Sequence, residues 1–415
     1  MKKPKQPPNL PWIFDEIDAK GFHNWLVDEM TRAFGEARKG KRGTHDEHEF
    51  DLNWAENIEN LAKTIEERTY EPGSSIAFVV FEPMVREIFA APFRDRSTHH
   101  FLYNMTAGWW DEQFIDTSTS CRPGKGTLYA IRKAQWHMLE VTEDGIKKAI
   151  VVKLDISGYF MGLPREELYE ALMKGLEKQF APYRGRAAAE KLFATCKFLW
   201  EKVIMDDPVV KARKKGNLSN WDPDLLPPRK SLYCQPEGQG IVIGNLTSQL
   251  SSNAYLDALD KFVTEVLGYK YYGRYVDDFY IMVAEEDYPK LKRDIKLIEK
   301  FLKEMGLVLH PKKRYCQSVY KGMSFLGARI YPHCLYPSDR LQAKFRKAVY
   351  DFDNGKGRME TVISYFGHIR HMDADNFVRK VFLELGWDFE IYLEVKKPLH
   401  RPIRELILEM SGKEF

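Results

Sequence analysis

Residues 271–283, YYGRYVDDFYIMV, set two adjacent carboxylates, Asp277 and Asp278, inside a run of tyrosine, phenylalanine, valine, isoleucine and methionine. The pattern predicts a strand pair with its turn at the acids. Alone, that is ordinary hairpin chemistry, because aspartate tolerates turn geometry. A second apolar run, KKAIVVKLDISGYFMGL at 147–163, changes the reading, since it predicts a buried strand that carries Asp155 and is punctuated by Pro164. A buried charge is costly unless it is paired or bound to a metal. If the two strands lie side by side, Asp155 meets Asp277 and Asp278, and three carboxylates repel one another unless divalent cations sit between them. Oxygen-only ligands point to magnesium, with manganese as an alternative. Two such ions about 4 Å apart can activate an attacking hydroxyl and stabilise the leaving oxygen of an in-line phosphoryl displacement.

The rest of the chain is consistent with a large folded enzyme. With 415 residues and 44% hydrophobic content it can bury a sizeable core, which excludes a disordered chain. A net charge of +3 with 30% charged residues leaves the choice of partner open. Five well-separated cysteines form no CxxC pair and suit reduced thiols in a cytosolic protein. The start, MKKPKQPPNLPWIF, is basic but broken by prolines, and no stretch approaches eighteen apolar residues. A cytoplasmic protein with no membrane partner is therefore expected.

Residues 1 to about 50 read as irregular and polar, ending in EARKGKRGTHDEHEF, taken as a solvated loop ahead of an RNA contact, with His45 and His48 as surface residues. Trp54, Ile58, Leu61, Ala62 and Ile65 recur at helical spacing. SIAFVVF and REIFAAPF read as extended runs, whereas RDRSTHHFLYNMTAGWW has mixed periodicity and receives no assignment. CRPGKGTLYAIRKAQWHML reads as a loop entering a helix, and Leu168, Leu172 and Leu176 mark one face of another. Residues 205–240, rich in Pro, Lys, Asp and Gly, read as a long surface loop or insertion. SQLSSNAYLDALDKFVTEVL is predicted helical. So is DYPKLKRDIKLIEKFLKEMGL, with Leu291, Ile295, Ile298, Phe301, Leu302 and Met305 inward, and bounded by Asp287, Pro289 and Gly306. MSFLGARIY reads as a strand, and from about 338 the chain is helical and basic with interleaved aromatics.

Asp155 in LDISGYF, then GIVIGNLTSQ, then YVDD resemble motifs A, B and C of the reverse transcriptase palm, in the family's order. LHPKKRY and SFLGARI follow where the family places motifs D and E, and REIFAAPFRDR with CRPGKGT resembles the finger motifs of the bacterial enzymes. The likeness spans roughly 70 to 335. IGNLTSQ, LPPRKSL and ISYFGHIRHM are similar to the diversity-generating retroelement enzymes and to related "unknown group", defence-associated reverse transcriptases of prokaryotes.

The resemblance implies an α+β, right-hand polymerase: fingers, a palm on an antiparallel, RRM-like sheet, and a short helical thumb. It divides the chain into an N-terminal extension and helix (1–70), fingers with the start of the palm (71–150), palm (151–335, with the insertion at about 205–240) and thumb (336–415). Asp155, Asp277 and Asp278 become the catalytic metal ligands, with Ile156 added to the metal set. Phe160 matches the family's steric gate, a ring that clashes with a ribose 2′-hydroxyl and so favours deoxynucleotides; RNA-templated RNA polymerases typically carry an aspartate there. Arg86, Arg96 and Lys125, favoured over a wider set with Arg94, would hold the triphosphate. Ile243, Gly244 and Gln249 would line the nucleotide site. Asn245, Ser248, Lys312, Lys313 and the thumb's Arg346 and Arg370 would contact nucleic acid. Read without the motifs, Gly240 and Gly244 are an ordinary turn before a helix cap, and the lysines and arginines a solvated surface.

The implied activity is RNA-templated DNA synthesis from dNTPs in a bacterial retroelement or antiphage system. The implied partners are a template or noncoding RNA, an RNA/DNA heteroduplex, and a small accessory protein or a second copy. Template-independent or protein-primed synthesis, and a non-catalytic RNA-binding scaffold, are the rival readings. The thumb region is too short for an added ribonuclease H domain of ordinary size.

Overall fold

The run Ala149–Asp155 lacks polar alternation because both its faces are covered. Val152 and Leu154 enter one apolar core, and Ala149 and Val151 enter another on the opposite side of the sheet. The computed structural model describes residues 8–39, 43, 45–82, 84–396 and 402–412.

Its strands are β1 (Ile76–Val80), β2 (Arg86–Ala90), β3 (Ala149–Asp155), β4 (Arg213–Lys214), β5 (Tyr271–Tyr275), β6 (Asp278–Ala284), β7 (Tyr315–Ser318), β8 (Met323–Phe325), β9 (Ala328–Ile330) and β10 (Leu335–Pro337). The central sheet has the order β5-β6-β3-β7 with antiparallel pairing throughout. Helices Arg165–Phe180, Leu246–Lys261 and Tyr288–Glu304 contribute to the core behind it. This mixed helix and antiparallel-sheet architecture is consistent with a right-hand polymerase fold, in which β2-β1-β4 lies in the region expected to form fingers and the helices from Asp339 onward in that expected to form the thumb. The predicted inward face of Tyr288–Glu304 is observed: Leu291, Ile298 and Leu302 are buried, and Ile295, Phe301 and Met305 pack against them.

Four sequence readings are corrected or completed. The N-terminal region is not irregular: helices Leu10–Lys20, Phe22–Ala37, His45–Leu52 and Trp54–Glu66 occupy it. Leu10, Ile13, Phe14 and Ile17, then Trp25, Leu26, Met30, Ala33 and Phe34, are helical stripes buried in the same core as the palm helices. Of the basic run, residues 40–42 and 44 lie outside the described residues, and Arg38 is held by Glu47 and Asp51 at 2.8 and 2.6 Å. His45 and His48 lie on an exposed helix face.

RDRSTHHFLYNMTAGWW lies within the 21-residue helix Phe93–Gln113. Packed on several sides, it needs no single apolar stripe, which is why its periodicity was unreadable.

The 205–240 segment lies largely on the surface, as read, but is pinned at several points. β4 pairs in parallel with β1, Leu226 and Leu232 are buried, and the fully buried Glu87 carboxylate accepts from Trp221 Nε1 (2.8 Å), Ser231 Oγ (3.0 Å) and the Leu232 amide (2.6 Å). Finally, MSFLGARIY is a hairpin of β8 and β9, turning at Leu326 and Gly327, whose φ angles are +51° and +85°.

The thumb helices Asp339–Asp353, Met359–Ile369, Asp375–Leu385, Phe389–Lys396 and Ile403–Ser411 enclose a core of their own around Phe345, Phe366, Phe382 and Tyr392. Lys344 of the first thumb helix pairs with Glu82, in the turn between β1 and β2. No disulfide joins the cysteines, and among the described residues no helix is long and apolar enough to cross a membrane.

Candidate active site

Antiparallel pairing of β3 with β6 sets Asp155 directly opposite Asp278. Asp277 occupies the β5–β6 turn, where its carbonyl accepts the Ile156 amide at 3.0 Å. The three predicted acids therefore converge although 122 positions separate Asp155 from Asp277. Lys313 donates to Asp155 Oδ2 and Lys153 to Asp278 Oδ2, each at 2.8 Å. Asp278 Oδ1 is buried without a hydrogen-bond partner. Burial, then the negative charge of Asp155, pushes the Asp277 carboxyl up to about 6. Asp278 is also raised by burial, against the pull of Lys153.

Among the described residues no three or more His, Cys, Asp or Glu side chains close into a ready-made cation cage. The residues still fit a divalent cation: the donors are all oxygens, one is orphaned, and the surplus negative charge opposes ionisation of Asp277. The Ile156 side chain is aliphatic and its amide donates to the Asp277 carbonyl, so only its carbonyl could join the ligands.

The turn is braced from below. Val276, β-branched, has φ +58°, a left-handed conformation that costs on the order of 1–3 kcal/mol and persists only when its surroundings impose it. Here they do. Ser120 Oγ accepts the Val276 amide at 3.0 Å, and Arg274 Nη1 donates to the Val276 carbonyl at 3.0 Å. Arg274 is buried completely and forms a two-point pair with Asp260 through Nε and Nη2, at 2.7 and 2.6 Å. Tyr272 Oη donates to Asp260 as well, and Arg274 Nη2 to Ser118 Oγ. The sequence reading missed this network. Its signal was a lone arginine in an otherwise apolar strand, the same anomaly that marked the aspartates.

The other predicted residues divide. Phe160 lies in the short helix Tyr159–Gly162, half-buried against Tyr159, and its carbonyl accepts the Ile241 amide at 2.9 Å. The Ile243 carbonyl accepts the Phe89 amide at 3.4 Å, joining that loop to β2. Gly244 is exposed at φ +124°, and a Cβ there would stand 3.4 Å from Ile88. Asn245 and the buried Ser248 line a cavity of about 40 Å³ with Asp95, His99 and Asp206, whereas Gln249 is half-buried on the following helix. Arg86 is exposed at the start of β2; Arg96 donates to the Ala91 carbonyl. Lys125 is bound to Asp116 through both carboxylate and carbonyl, at 2.9 and 2.7 Å. Lys312 is exposed beside Lys313. Arg346 pairs with Glu384 at 3.3 Å, and Arg370 ends helix Met359–Ile369, so both lie on the thumb.

A four-stranded antiparallel palm with convergent aspartates at one hairpin defines a nucleotide polymerase fold. Residues 233–330 match the family model for reverse transcriptase (RNA-dependent DNA polymerase). That match covers 98 of the chain's 415 residues. The matched residues include both hairpin aspartates, and strand pairing adds Asp155 from outside them. None of the curated proteins matches the chain. Among solved structures it is similar to apo telomerase from Candida tropicalis (12% identity, TM-score 0.44, 82% of this chain and 62% of that one). It is also similar to telomerase from Candida albicans in complex with a fragment of telomeric RNA (11%, 0.44, 82% and 58%). The chain spans about 60% of the length of those telomerase chains.

Proposed function

We propose that the protein is a reverse transcriptase that extends a primer with deoxynucleotides on an RNA template, within a prokaryotic retroelement or antiphage system supplied with its own noncoding RNA. The observation that carries this reading is the register that sets Asp155 against Asp278 beside Asp277. Asp155, Asp277, Asp278 and the Ile156 carbonyl would hold two divalent cations, Mg²⁺ or alternatively Mn²⁺, which when bound activate the primer hydroxyl and stabilise the leaving pyrophosphate oxygen. The protein's own contribution is to position them. Lys153 and Lys313 offset the acids' charge, and the braced turn fixes where Asp277 sits.

Support for the prokaryotic lineage comes from GIVIGNLTSQ and LPPRKSL in the sequence. We divide the chain at about 70, 150 and 335 into N-terminal extension, fingers, palm and thumb; the thumb has a core of its own, and its Met372 is also buried in the cluster that holds Val151 and Tyr280 of the palm. A heteroduplex would run along the thumb, past Arg346 and Arg370.

The test is primer extension on a defined RNA with Mg²⁺. Wild-type protein should incorporate dNTPs and discriminate against rNTPs, and Phe160→Ala should lower that discrimination by about tenfold or more by removing the clash with the 2′-hydroxyl. Sequenced products that do not copy the supplied RNA would favour untemplated or protein-primed synthesis. RNA binding with no incorporation under either metal would leave a scaffold.

A further inference from the structure

The segment LPPRKSL is not used by the site described above, yet it lies against it. Pro228–Lys230 form one short turn of helix, and the Arg229 carbonyl stands 3.4 Å from where a Cβ on Gly158 would be, three residues beyond Asp155. Glu87 fixes this turn from behind through the Ser231 hydroxyl and the Leu232 amide, so its position is set by a buried carboxylate on β2. Three other cations act on the Lys230 ammonium: Arg229 beside it, Lys313 from the Asp155 side and Arg86 from β2. Burial first, then these charges, lower its proton affinity, and no acid offsets them. Lys313 has Asp155 as a partner, whereas Arg86, Arg229 and Lys230 have no carboxylate partner among the described residues.

Three of these four cations lack an acidic partner and repel one another, and a fold gains little by assembling them unless a polyanion completes the set. Nucleic-acid backbone offers one charge per phosphate, spread along a strand. A nucleoside triphosphate concentrates several on one point near the metal-binding acids.

We propose that Lys230, with Arg229, binds the triphosphate of the incoming nucleotide, so that the segment between Asp155 and the GIVIGNLTSQ loop supplies part of the substrate site together with Arg86 and Lys313. This rests on the polymerase reading. Lys125, tied to Asp116, is then not needed for that task.

The experiment is steady-state incorporation on a primed RNA with varied dNTP, comparing wild type with Lys230→Gln and Lys230→Arg. Lys230→Gln should raise the KM for dNTP by about tenfold, the loss of one charge-assisted hydrogen bond, with kcat and the Kd for primed template little changed. Lys230→Arg should restore most of it. The Lys230→Gln protein should melt no lower than wild type, because a repulsive charge has been removed. An unmoved KM in an active enzyme overturns the inference alone, as does a raised Kd for primed template with an unchanged KM, which would assign the cluster to nucleic-acid phosphates. Wild-type protein that incorporates nothing overturns the polymerase reading and this inference with it.

Discussion

Asp277→Asn leaves the protein folded and reduces magnesium-dependent primer extension by about 10³-fold or more, roughly 4 kcal/mol of transition-state stabilisation. Asp155→Asn should behave alike, because the two are held together by the β3–β6 register and the Ile156–Asp277 hydrogen bond. Stability should move the other way. A carboxyl raised to about 6 binds its proton more tightly folded than unfolded, so the native state loses stability as pH rises from the ordinary carboxylate range through 6. In metal-free buffer above that pH, Asp277→Asn should therefore melt higher than wild type, and the gap should close below about pH 4. Adding Mg²⁺ should raise the wild-type melting temperature more than the variant's. A variant that is both inactive and less stable at neutral pH would mean that Asp277 serves the fold instead.

Arg274→Met should lower unfolding free energy by about 3–5 kcal/mol, measured by urea denaturation, since it strands Asp260 as an unpaired charge in a fully buried site. Arg274→Met combined with Asp260→Leu should regain part of that loss, because neither charge is then left unpaired although the buried Tyr272 hydroxyl loses its acceptor. Activity should not return with stability. The double variant still lacks the donor to the Val276 carbonyl, so kcat should stay reduced by about tenfold. Adding Val276→Gly, which adopts a positive φ without penalty, separates the two effects further: partial recovery of kcat identifies the brace as a positioning device. Full activity in the double variant would reduce Arg274 to a packing element.

The palm and its acids were legible from the chain because burying a charge is costly enough to stand out: Asp155, Asp277 and Asp278 each interrupt an apolar run, and the run lengths set them on strands. Arg274 obeys the same rule, interrupting strand β5 as the acids interrupt theirs. The N-terminal helices were masked by composition. Their stripes, Leu10 to Ile17 and Trp25 to Phe34, are regular, but the prolines before them and the basic run after them drew the reading toward a tail. Helix Phe93–Gln113 was unreadable for a different reason, since an element packed on several sides has no polar face to give its period away. The anchoring of the 205–240 surface segment was not legible, because it comes from elsewhere: Glu87, more than a hundred residues upstream, holds it, and no local pattern announces a partner so distant.

The Lys344–Glu82 pair joins thumb to fingers through two side chains, one of them almost wholly in solvent. Such a latch is weak and fades as ions crowd in. A duplex that enters between these two elements would have to part it. Raising ionic strength unlocks the door while thinning the pull on phosphates beyond it, so loading of a primed template should pass through an optimum instead of simply declining.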